Sequence, residues 1–72
     1  MKIKSEKRNE DVFFENFCVI KESEHFFAVY ERITYSYSYF RTLLTSGATL
    51  SSACKKAKLL QMGYNFRKEY EY

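Results

Sequence analysis

Apolar residues recur at Leu50, Ala53, Cys54, Ala57 and Leu60, the i, i+3, i+4, i+7 spacing that lines one face of an α-helix at roughly 100° per residue. The spacing predicts an amphipathic helix over 49–62, with Gln61 completing the same face. Thr49 is placed to cap it, its hydroxyl accepting a free amide of the first turn, and Gly63 stands where a left-handed residue ends a helix. Lys55, Lys56 and Lys58 lie in the middle and C-terminal half, the favourable end of the helix dipole. Leu59 and Met62 break the pattern. At roughly 180° and 120° from Leu50 they fall outside the packed face, beside Lys55.

Other segments carry a two-residue period. Residues 12–20, VFFENFCVI, are aromatic and β-branched and predict a strand. The alternation is imperfect, which calls for two covered faces or a bulge near Asn16. The polar run 21–25 turns the chain into a second strand at about 26–33. Residues 34–45 fork. Tyr35, Tyr37 and Tyr39 alternate with serines, which on a third strand puts them on one face with Arg41 and Leu43. Tyr35, Tyr39, Phe40, Leu43 and Leu44 would also cover about half of a helix, with Arg41, Ser38 and Thr42 opposite and Gly47 just past its end, which would give a β-hairpin followed by a helix-turn-helix-like pair. The strand agrees better with the aromatic content and the period. Residues 64–72 place Tyr64, Phe66, Tyr70 and Tyr72 on one parity and predict a half-buried last strand. The expected fold is therefore α+β: a small antiparallel sheet of three to four strands packed on one main helix, in the order β-β-(β)-α-β.

Length and composition bound this picture. Seventy-two residues make one domain that buries only about 60% of its unfolded surface, and seven Phe and seven Tyr supply most of the bulk available for a core. Residues 1–10 are basic and predict a partly mobile arm, leaving 11–72 as the single folded unit. No apolar run follows the charged start, so neither a leader nor a membrane anchor is expected, and a cytoplasmic location is. Cys18 and Cys54 are far apart and read as two core thiols, a disulfide being the less common alternative.

Charge is segregated. Residues 11–31 hold five acids against Lys21 alone, whereas 32–68 hold seven bases and no acid. A fold either pairs these blocks or displays them as a dipolar surface.

Little here is suited to catalysis. His25 sits in a predicted turn with no nucleophile at a recognisable spacing, the acids fall at solvated hairpin positions, and Gly47 and Gly63 stand alone rather than in a phosphate-cradling loop. No enzyme, cofactor or metal site is expected. Two binding surfaces remain. The outer helix face, Lys55, Lys58, Leu59 and Met62 with Lys56, Arg41 and Arg67 nearby, combines charge with apolar surface and suits a protein partner. Tyr35, Tyr37 and Tyr39 form a candidate base-stacking platform, which with the basic residues of 32–68 suits a nucleic acid. The first reading leads: a small non-enzymatic regulator or inhibitor that binds a protein or nucleoprotein complex, of the compositional type encoded by phages and mobile elements against host defences. A nucleic-acid-binding module is the alternative, and a homodimer is compatible with either.

Overall fold

Asn9 and Glu10 reverse the chain between strands β1 (Glu6–Arg8) and β2 (Asp11–Phe13), a two-residue connection in which Asn9 takes the left-handed conformation at φ 56°. Asparagine tolerates that region better than other side-chain-bearing residues, which is why this turn forms without glycine. The computed structural model describes residues 3–32 and 43–70. Strands β3 (Phe17–Ser23), β4 (Phe26–Glu31) and β5 (Leu43–Gly47) follow, then helix α1 (Leu50–Tyr70). All neighbouring strands pair antiparallel in the order β1-β2-β3-β4-β5, and the helix packs on one face of this sheet. The α+β architecture is as expected, with five strands where three to four were predicted.

Three expectations are corrected. The run 12–20 is not one strand: a turn at 14–16 separates β2 from β3, closed by the Phe14 amide donating to the Phe17 carbonyl at 2.8 Å. That turn, rather than a bulge, resets the side-chain parity. Val12 and Phe14 before it and Val19 after it all reach the helix side, while Phe13, Cys18 and Ile20 gather on the opposite face. The second correction concerns 64–72, where the helix continues through Gly63 to Tyr70 instead of giving way to a last strand. Tyr64 stays on the packed face and meets Phe17 edge-on, ring centroids 6.2 Å apart, and Asn65 accepts a hydrogen bond from Gln61 one turn back. Arg67 and Lys68 then lie in the last turn, where the dipole favours cations. Gly63 has no positive φ and ends nothing. Third, Leu43–Gly47 is a strand paired with β4, so the helix-turn-helix alternative falls.

The helix-side core joins Val12, Phe14, Val19, Phe27 and Val29 to Ala53 and Ala57, with Leu50, Cys54 and Leu60 at its margin. Each large side chain so buried contributes roughly 1.5–3 kcal/mol. The alanines have no exposed surface, and their small size lets the helix axis approach the sheet. Gly47 allows the same closeness at β5, since a Cβ there would lie 2.8 Å from the Ala53 nitrogen. The helix starts where the sequence predicts: the Ser52 amide donates to Thr49 Oγ1 at 3.1 Å, the N-cap bond. Cys18 and Cys54 carry free thiols on opposite sides of the sheet, Cys18 in the far cluster and Cys54 at the margin of the helix-side core. A layer of backbone therefore separates them.

Candidate functional site

The packed face of α1 fixes what the other face presents. With Ala53, Ala57 and Gln61 buried, residues half a turn away project into solvent. Leu59 is 62% exposed and Met62 48% exposed, and Phe66, which the sequence pattern had assigned to a strand, joins them at 59%. Steps of three and four residues place Leu59, Met62 and Phe66 in one row about 10 Å long. Phe66 was missed because its two-residue alternation with Tyr64 hid a helical spacing from Leu59 and Met62.

Basic residues border this row rather than fill it. Lys55 and Lys58 lie at one end and flank, and both are exposed. Lys56 and Arg67 lie on the opposite flank, roughly 160° around the axis from Lys58. Lys56 is engaged: its Nζ donates to the Ser46 carbonyl, tying the helix to strand β5. Among the described residues, salt bridges join Arg8 to Glu6 at 2.7 Å and Lys21 to Glu10 at 3.0 Å, both in the N-terminal part of the sheet. Among the described residues no acid is paired with Lys55, Lys58 or Arg67, so this part of the basic block is displayed. Arg41 and the three tyrosines, Tyr35, Tyr37 and Tyr39, lie outside the described residues.

Gln61 holds the helix in register. It is 1% exposed, its Oε1 accepts the Asn16 amide at 2.8 Å, and its Nε2 donates to Asn16 Oδ1 at 2.8 Å and Asn65 Oδ1 at 3.0 Å. A buried amide satisfied on both ends fixes the rotation of the helix about its axis, and with it the outward direction of the row. The sequence puts Gln61 on the packed face, but its partner in the 14–16 turn is a tertiary contact 45 residues away.

Other features fit binding chemistry less well. A cavity of about 270 Å³ is lined by Lys4, Ser5, Glu6, Phe13, Phe14, Glu15 and Arg32, and a second of about 200 Å³ by Ile3, Lys4, Glu15, Gln61 and Asn65. Both fall below the roughly 300 Å³ at which small-molecule pockets begin. Arg32 also serves the fold, donating through a terminal guanidinium nitrogen to the Phe14 carbonyl at 2.7 Å and stacking 5.3 Å from the Phe13 ring centre. Burial pushes the Cys18 thiol up to about 11, with Arg32 pulling weakly the other way, and burial also raises Cys54. Among the described residues no three His, Cys, Asp or Glu side chains gather in a metal-binding group, and no helix is long and apolar enough to cross a membrane. Compared with known proteins, the chain matches no family model, no curated protein and no solved structure.

Proposed function

We propose that this protein is a small non-enzymatic regulator or inhibitor that acts by binding another protein through the outer face of α1. The observation that carries the reading is the exposed row Leu59, Met62 and Phe66 on a helix whose opposite face already contributes to the core. An apolar row bordered by displayed lysines matches a partner surface with an apolar groove and carboxylates at its rim. Occlusion of a host complex, the task common among small phage and mobile-element proteins, requires only such a contact. The cations divide between the two flanks of the row, an arrangement that favours an apolar contact with charged borders over a continuous phosphate-tracking stripe.

The test is a photo-crosslinking residue at position 59 in the native host, with position 24 on the β3–β4 turn as control. The protein captured only from position 59 is purified, and its affinity for the wild type is compared with that for Leu59→Ser/Met62→Ser. A folded double variant should bind at least roughly 30-fold more weakly, about 2 kcal/mol. Unchanged affinity would overturn the reading. So would a steeply salt-dependent oligonucleotide affinity at position 59 in place of a protein contact.

A further inference from the structure

Gly63 is exposed in the middle of α1, and nothing in the fold requires a glycine there. Its φ is not positive, a Cβ built on it meets nothing within 4 Å, and the helix continues past it to Tyr70. Glycine at such a position weakens a helix relative to alanine, and what it offers in return is close approach of another chain to the backbone. We infer that Gly63 is a notch that receives a large apolar side chain from an acidic amphipathic helix of the partner protein. The inference rests on the reading of the outer face as a contact surface, and it names the partner's chemistry there.

The notch interrupts a ridge. Side chains four residues apart form the ridges that interlock when helices pack, and Lys55, Leu59, Gly63 and Arg67 are one such row, all exposed. The row is about 18 Å long, and between Leu59 and Arg67 about 12 Å of it holds only backbone. Leu59, 62% exposed, walls one end of the gap, and Met62, 48% exposed, stands beside it. A partner side chain seated in the gap loses its water against the helix backbone, Leu59 and Met62.

Charge fixes what surrounds that side chain. The row begins and ends in a cation, Lys55 and Arg67, and Lys58 lies on the near flank. α1 carries five bases and Glu69 as its one acid, and among the described residues no acid pairs with Lys55, Lys58 or Arg67. The complementary helix therefore carries carboxylates on both sides of its inserted residue, one of them placed to accept two parallel N–H donors from Arg67. Exposed pairs of this kind select and orient a partner more than they tighten it, so the notch supplies the discrimination by shape. A nucleic acid would bring negative charge but no apolar side chain to fill the gap between Leu59 and Arg67.

The test uses the full chain and a synthetic peptide of about 18 residues, stapled as a helix, with a central Phe and glutamates flanking it on the contact face. Two analogues serve as comparisons, one with Ala in place of the Phe and one with Lys in place of each Glu. The Phe peptide, added to about 1 mM, should shift the amide resonances of Leu59, Met62 and Gly63 saturably, and both analogues should bind at least roughly tenfold more weakly. Gly63→Ala, whose urea melt shows whether the fold is intact, should weaken the Phe peptide at least roughly tenfold and change the affinity for the Ala analogue by less than about twofold. A Phe-peptide affinity that Gly63→Ala leaves unchanged overturns the inference, as does equal binding of the Lys analogue or the absence of shifts at these three residues. Each of these leaves the partner contact standing, because that reading is decided by the captured protein and Leu59→Ser/Met62→Ser. Tighter binding of a single-stranded oligonucleotide of about 12 nucleotides, with shifts at the same residues, would overturn both.

Discussion

Replacing Gln61 by Leu preserves size and apolar packing but deletes the hydrogen bonds by which Gln61 ties α1 to Asn16 and braces Asn65 one turn on. Three bonds are lost: one accepted from the Asn16 amide at 2.8 Å, and two donated, to Asn16 Oδ1 at 2.8 Å and Asn65 Oδ1 at 3.0 Å. At roughly 0.5–1.5 kcal/mol each, with the partly buried Asn16 amide left to find water, the gross loss is about 2–4 kcal/mol. Burying additional carbon in a site with 1% exposure returns about 1 kcal/mol. The net destabilisation is thus about 1–3 kcal/mol. For a 72-residue domain, whose total stability is on the order of 4–11 kcal/mol, that is a large fraction. Urea denaturation should show it as a lower midpoint at unchanged slope, and thermal melting as a fall of about 5–20 °C. Amide exchange adds a local readout, because the Asn16 amide should lose its protection before the strand amides of β3 and β4 lose theirs. A loss below about 1 kcal/mol with Asn16 still protected would refute the view that this network sets the helix on the sheet.

Three further substitutions probe the fold. Gly63→Ala should stabilise the protein by about 0.5–1 kcal/mol in urea melts, because a Cβ there meets nothing within 4 Å and the residue is mid-helix; destabilisation would mean that the helix ends at 62 after all. Gly47→Ala should cost about 1–3 kcal/mol, its Cβ falling 2.8 Å from the Ala53 nitrogen and 3.0 Å from Ser52 Oγ, and a neutral result would show that the helix start can shift away from β5. The Cys18 thiol ionises at about 11 in the folded chain because burial disfavours the thiolate, against 9.0 when exposed. The unfolded thiol thus ionises first as pH rises, and stability that is complete below about pH 9 is lost progressively towards pH 11, by about 2 kcal/mol at pH 10.5. Urea melts at pH 8 and pH 10.5 should show this loss in the wild type beyond that of Cys18→Ala, and equal slopes in both would contradict the assignment.

The local pattern by itself determined the helix start, its buried face and its exposed side. Thr49 caps because a hydroxyl meets a free amide one turn away, and Leu50, Ala53, Ala57 and Gln61 share a face through the helical period, both local relations. Leu59 and Met62 were legible as outward-facing for the same reason. What lay beyond local pattern was decided by contacts distant in sequence. Tyr64 and Phe66 fit a strand or a helix equally well on period, and the choice came from Phe17 packing against Tyr64 and from Gln61 fixing the helix against Asn16. The division of 12–20 into two strands likewise depended on Asn16 being held from the far end of the chain, and β1 on a turn that asparagine makes without the usual glycine. The apolar row of the outer face became complete only when tertiary packing carried the helix past Gly63 and set Phe66 in line with Leu59 and Met62.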